Sequence, residues 1–241
     1  MKILVLGASG ATGKLLVDQL LELGRDVKVI VRASSSIPQS WGNNEQVEII
    51  QSNIHEMTVG EMANHLKDGS AVASCLGHNL SLKGMYGEPK KLVKDAVRLV
   101  CEAYLKSTPL MPLKIVLMNT AGNSNRDLNE PVSSSQKMML ALIRTLLPPH
   151  RDNEEASDYL RLMIGQNHPS IQWAVVRPDT LIDEDKVSEY SLHASPTRSA
   201  IFNPGKTSRI NVGHFMGSLI VEEKLWNKWK GQMPVLYNLN A

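Results

Sequence analysis

Cysteine is scarce in this chain: Cys75 and Cys101 are the only two, and they lack the C-x-x-C spacing of a zinc or redox site. That excludes a disulfide scaffold and leaves two buried thiols as the expectation. Charge of one sign is scarce too; a formal net charge of +2 over 241 residues offers nothing to draw nucleic acid or a membrane surface. No segment approaches the roughly 18 consecutive apolar residues that would span a bilayer. The seven histidines are scattered, with no H-E-x-x-H or comparable cluster, so no metal is expected. Internal repeats, low-complexity runs and linkers are missing, which points to one domain over 1–241. Met1-Lys2 runs straight into an apolar stretch, and the expectation is a cytoplasmic protein without a signal peptide.

What is present is concentrated in the first 32 residues. An apolar run, Ile3 to Leu6, leads into Gly7-Ala8-Ser9-Gly10-Ala11-Thr12-Gly13, then an amphipathic stretch to Gly24, then a second apolar run stopping at Arg32. The order is strand, glycine turn, helix, strand. Gly7 suits a sharp turn off the strand, Gly10 a close approach of backbone amides to a pyrophosphate, and Gly13 a helix starting tight against the sheet. Free amides at the start of that helix, over Ala11, Thr12 and Gly13, would face the phosphates. The spacing is looser than G-x-G-x-x-G, and the glycines gain their meaning from the strands and helix around them. At the end of the second strand an Asp or Glu would suit the ribose 2′-hydroxyl of NAD, whereas Arg32 suits a 2′-phosphate. Its charge-assisted bonds are worth about 2 to 4 kcal/mol. The hydroxyls of Ser9, Ser34, Ser35 and Ser36 are close in sequence, and the expectation is NADP (NADPH) over NAD.

The GASGATG turn after an N-terminal strand, the terminal Arg32, and the later run Trp173-Ala174-Val175-Val176-Arg177-Pro178 resemble atypical short-chain dehydrogenase/reductases: NmrA-like, biliverdin-IXβ-reductase-like and flavin-reductase-like proteins. The resemblance implies a Rossmann fold. It also implies contacts to adenine at Asn53 and Ile54, a close pass of Cys75, Leu76 and Gly77 under the nicotinamide-side ribose and pyrophosphate, and a Ser or Thr beside the nicotinamide, here Thr120. Pro178 would lie against the carboxamide, with Arg177 anchoring the turn.

Along the chain, Val47–Ile50 reads as a strand and Thr58-Val59-Gly60-Glu61 as a capping box opening a helix to about Lys67. Residues 70–76 read as a strand, 78–87 as a polar loop, 89–106 as an amphipathic helix with Pro89 at its first position, and 114–118 as a buried strand. Tyr86 and Lys90 spell Y-x-x-x-K, but ahead of the wrong helix and off a shared face. Residues 136–147 form a helix stopped by Pro148-Pro149, and His150-Arg151-Asp152 precedes a further helix over 154–166. That helix carries Tyr159 with Met163, not lysine, four residues on. Residues 171–177 form a strand, 180–197 a flexible substrate lid, and 233–237 a last strand; Arg209 to Met216 resembles the family's strand end entering a helix, which implies Asn211 as the N-cap of a helix to about Glu223.

These readings amount to an α/β fold, a doubly wound parallel sheet of six or seven strands, with 178–241 contributing a substrate-side cap. The expected activity is NADP-dependent hydride transfer to a small planar acceptor: a flavin, a quinone or a conjugated carbonyl. Catalytic candidates are Thr120, Tyr159 and His150. Two other readings stand beside it: an NADP-binding sensor without turnover, with a protein partner, and a sugar-nucleotide epimerase or dehydratase.

Overall fold

The computed structural model describes residues 2–78, 81–109 and 111–239. Strand and helix alternate: β1 (Lys2–Leu6), α1 (Ala11–Glu22), β2 (Asp26–Val31), a short α2 (Gln39–Gly42), β3 (Val47–Gln51), α3 (Val59–Leu66), β4 (Gly69–Ser74), a short α4 (Leu82–Tyr86), α5 (Leu92–Lys106) and β5 (Leu113–Met118). The second half holds α6 (Ser134–Leu146), α7 (Pro148–Asp158), which runs into a π-helical turn over Tyr159–Ile164, β6 (Ile171–Pro178), β7 (Thr180–Ile182), β8 (Tyr190–His193), β9 (Lys206–Ser208), α8 (Arg209–Val221), α9 (Glu223–Trp229) and β10 (Val235–Asn238).

The main sheet has eight strands in the order β3-β2-β1-β4-β5-β6-β10-β8, one or two more than expected, and β7 and β9 pair separately. Its pairs are parallel except β10–β8. Alternation along each strand feeds two cores. Leu4 and Leu6, with Leu113, Ile115 and Leu117, face α3, α5 and the π-helical turn. Ile3 and Val5, with Val116, Ala174 and Val176, face α1, α8 and α9. Parallel strands buried on both faces explain their unbroken Val, Ile and Leu runs. The strand order reverses between β1 and β4, which opens a crevice at the carboxyl ends of the strands.

Several local expectations are corrected. Pro148-Pro149 begins α7 instead of separating two helices, so His150, Arg151 and Asp152 lie inside it; proline is tolerated in a first turn, where amides have no partner. Pro89 lies before α5, which starts at Leu92 because a distant carboxylate, Asp152, caps it there. Of the loop expected over 78–87, residues 79 and 80 lie outside the described residues, and Leu82–Tyr86 is helical. The N-cap of α8 is Ser208, whose hydroxyl accepts the amide of Asn211; the Asn211 side chain bonds Ser188 and Asn238. The segment 180–197 is no loose lid, since β8 forms the antiparallel sheet edge and Arg177 holds the Ala194 carbonyl. Within 178–241, β10 and β8 extend the sheet, and α8 lies on α1 so closely that a Cβ on Gly213 would stand 3.1 Å from the Leu16 nitrogen.

Candidate functional site

A cleft of about 420 Å³ occupies the crevice at the reversal of strand order. The ends of four strands supply its lining: Leu6 and Gly7 after β1, Ile30 to Arg32 after β2, Ser52 to His55 after β3, and Cys75 to His78 after β4.

The glycine turn works through backbone proximity. Gly7 has φ +72°, and a Cβ there would stand 2.7 Å from the Cys75 carbonyl and the Leu76 nitrogen. A Cβ on Gly13 would run into the Gly7 carbonyl oxygen and lie 2.9 Å from the Ala8 Cα, so this glycine lets α1 start against the strand end. Gly10 stands at the N-cap of α1 and borders the cleft, and no side chain caps that helix, so its first amides have no side-chain partner. On the β4 side a Cβ on Gly77 would meet nothing within 4 Å, and the backbone there borders open space. A cradle kept clear of side chains, with uncapped amides at its head, fits a dinucleotide pyrophosphate.

At the other end, Arg32 is exposed at the carboxyl end of β2. The Ser9 hydroxyl donates to that of Ser35 at 3.2 Å, and all three residues border the cleft. Asn53 and Ile54 border it as well, Ile54 as the first residue of a short 3₁₀ turn. Trp41 is buried at the domain edge, its indole N–H directed to Asp18.

Nine of the sequence-chosen cofactor residues thus share one cleft: Gly7, Ser9, Gly10, Arg32, Asn53, Ile54, Cys75, Leu76 and Gly77. Ala11, Thr12 and Gly13 form the first turn of α1 behind them and do not line it. Arg177 and Pro178 stand apart. Arg177 is fully buried; its guanidinium donates to the carbonyls of Met233, Asn123 and Ala194 and pairs with the buried Glu130 at 2.7 Å. It is an internal clamp joining β6 to the loop after β5.

Thr120 and His150 both lie near Gly122, beyond β5, and neither lines the cleft. A Cβ on Gly122 would lie 3.4 Å from His150 Cε1 and 3.6 Å from Thr120 Oγ1. Thr120 Oγ1 accepts the Gly122 amide, which leaves its own hydrogen free to donate. The β4–β5 register pairs Ser74 with Leu117, so the chains after β4 and after β5 leave the sheet at the same end. Burial pushes the His150 imidazole below its usual range, with Glu154 opposing and Arg144 assisting, and so favours the neutral ring.

Tyr159 is not with them. The π-helical turn directs its ring onto the core around α5, and burial, with Cys101 and Glu102 adding to it, pushes its phenol up to about 12. Nor does Tyr86 form a Tyr–Lys pair: its hydroxyl donates to the Leu146 carbonyl, and Lys90 lies by Glu88. Burial likewise raises the Cys75 thiol to about 12, so this cleft residue acts as an apolar contact. Among the described residues no group of His, Cys, Asp and Glu is arranged to hold a metal, and no helix is long and apolar enough to cross a membrane. Residues the sequence reading passed over are His78, which lines the cleft, and its partner Asp152.

Residues 7–223 match the model of a family described as NAD(P)H-binding. No curated protein sequence matches the chain. The fold is shared with a short-chain dehydrogenase/reductase from Veillonella parvula solved with NADP, at TM-score 0.71 and 14% identity over 99% of this chain and 95% of that one. It is also shared with a candidate NADH-flavin reductase from Streptococcus pneumoniae, at TM-score 0.64 and 19% identity over 99% of both chains. An anaerobillin reductase from Escherichia coli O157:H7 has TM-score 0.67 and 16% identity over 100% of this chain and 98% of that one. With its glycine cradle at the reversal of a doubly wound sheet and a family match over most of its length, the chain belongs to the NAD(P)H-binding family.

Proposed function

We propose that this protein is an NADPH-dependent reductase of small planar acceptors such as a flavin, a quinone or a conjugated carbonyl. The observation that carries the choice of cofactor is Arg32 at the end of β2 with the hydroxyls of Ser35 and Ser9 on the same wall. A guanidinium beside two hydroxyls suits a ribose 2′-phosphate and disfavours the bare diol of NADH. Gly7, Gly10 and the first amides of α1 hold the pyrophosphate, and Asn53 and Ile54 border the adenine. Bound NADPH supplies the hydride.

The protein's own part is to bind, orient and keep the site dry. Thr120 donates its free hydroxyl hydrogen to the acceptor oxygen or nitrogen, and the neutral His150, on the other side of Gly122, relays a proton inward from solvent. The acceptor leaves with one hydride and one proton added. A planar acceptor whose reduced anion is delocalised suits this site, because neither Tyr86 nor Tyr159 lines the cleft. The same observation favours a second reading, a cytoplasmic NADPH sensor that binds without turnover and acts on a protein partner. An epimerase or dehydratase has less support, since it needs the same missing Tyr–Lys pair.

The test is NADPH oxidation by the purified chain against flavins, quinones and conjugated carbonyls, with NADH as control. Saturable turnover with NADPH supports the reductase. Tight NADPH binding without reduction of any acceptor favours the sensor, and binding of neither nucleotide refutes both.

A further inference from the structure

One wall of the cleft is made by Gly77, His78, Gly84, Glu88 and Pro89 from the connection between β4 and α5, and by Leu92 at the start of α5. A single buried side chain ties this connection together. The His78 imidazole is 4% exposed; its Nδ1 lies 3.2 Å from the Gly84 carbonyl oxygen, in the middle of the connection, and its Nε2 donates to Asp152 Oδ2 at 2.7 Å. The Asp152 side chain, on α7, is completely buried. Its Oδ2 also accepts the Val93 amide at 2.8 Å and its Oδ1 the Lys94 amide at 3.0 Å. Those amides belong to the first turn of α5, whose N-cap residue, Lys91, provides no side-chain cap. One carboxylate therefore fixes the beginning of this wall through His78, its middle through the same ring, and its end directly.

We propose that His78 is a positioning residue for the dinucleotide: joined to Asp152, it sets the wall made by Gly77, Gly84 and Leu92 at the width the cofactor needs. Bound cofactor and the capped start of α5 then stabilise each other, because both require the same placement of His78. The inference rests on the cofactor reading above.

The experiment compares the full-length wild type with His78→Ala and His78→Gln. Hydrogen exchange is followed over 84–94 with and without NADPH, and NADPH is titrated in parallel. Gly231→Ala, which strains a left-handed turn ahead of β10, at the end of the sheet opposite the cleft, controls for general loss of stability. In the wild type NADPH slows exchange over 84–94. His78→Ala is expected to speed exchange there and to weaken NADPH binding about tenfold or more, whereas Gly231→Ala leaves both unchanged. His78→Gln keeps a donor for the carboxylate and loses the contact to Gly84; it is expected to fall between, and it replaces the alanine variant if that one does not fold. Unchanged exchange over 84–94, or faster exchange with unchanged NADPH affinity, overturns the proposal. If the wild type binds neither NADPH nor NADH, the cofactor reading has failed. The pair's hold on the wall is then judged by exchange alone: faster exchange confined to 84–94 in the variant supports it, and unchanged exchange overturns it.

Discussion

Arg177 shows how one residue can be conspicuous in a sequence and serve a purpose the sequence conceals. The W-x-x-x-R-P run marks it, yet its role depends on Glu130, forty-seven positions away, and on three carbonyls from separate loops. Removing Glu130 leaves a buried guanidinium unpaired, so Glu130→Ala is expected to destabilise the fold by about 3 to 5 kcal/mol. The drop in melting temperature would be on the order of 10 °C, and calorimetry checks it. A loss within a degree or two of wild type contradicts the buried pair. Gly7 is the opposite case, legible from the start because its demand is local: a positive φ and backbone on its open side. Gly7→Ala is expected to lose at least about 1 to 2 kcal/mol from the left-handed backbone alone, and to weaken NADPH binding as Cys75 and Leu76 are pushed into the cleft. Equal affinity in a nucleotide titration would remove Gly7 from the site. Tyr159 is a catalytic candidate in the sequence because it is the tyrosine on that helix; only the π-helical turn reveals that its ring faces α5.

Among the elements, helices whose ends are set locally were readable and those set at a distance were not. Thr58 and Glu61 form the reciprocal capping box expected of them, the Glu61 amide bonding Thr58 Oγ1 at 3.2 Å and the Thr58 amide bonding the Glu61 carboxylate at 2.7 Å. Thr58→Ala is expected to cost about 1 kcal/mol, seen as a lowered denaturation midpoint with an unchanged slope; no shift in midpoint would show the box to be inert. The start of α5 looked equally plain, with Pro89 suited to a first turn. Its true start, at Leu92, depends on a carboxylate that sequence spacing cannot connect to it. The strands β8 and β10 differ again: β10 is apolar and was foreseen, while the polar Tyr190-Ser191-Leu192-His193 becomes a strand because β10 offers it an edge.

For the molecule as a whole, alternation of strand and helix was sufficient to expect a doubly wound sheet, since parallel strands need crossovers and crossovers have one hand. The cleft follows from that topology, which is why the residues expected to hold the cofactor converge on it while those expected on the substrate side, set by loops, do not. The same architecture gives stability a pH dependence. Burial lowers the pKa of His150 and of His65, the latter aided by Lys28 and opposed by Glu48 and Glu61. The folded chain therefore binds fewer protons than the unfolded chain below about pH 6.5, the ordinary histidine value. Stability from these two groups is fully present above that pH and is lost as the pH falls through their depressed folded values. Melting temperature is expected to be flat from pH 7 to 8 and to fall below about 6.5, less steeply in His150→Gln. A melting temperature that rises on acidification over this range would show that the two rings are charged in the fold.

The central claim is that this cleft is built for NADPH, and titration of the purified chain with NADPH and NADH under one set of conditions tests it most directly. The account predicts that NADPH binds tighter by about thirtyfold or more, from the 2 to 4 kcal/mol of guanidinium–phosphate bonding at Arg32, and that Arg32→Ala removes most of the difference. Equal affinity of the wild type for the two nucleotides would contradict it.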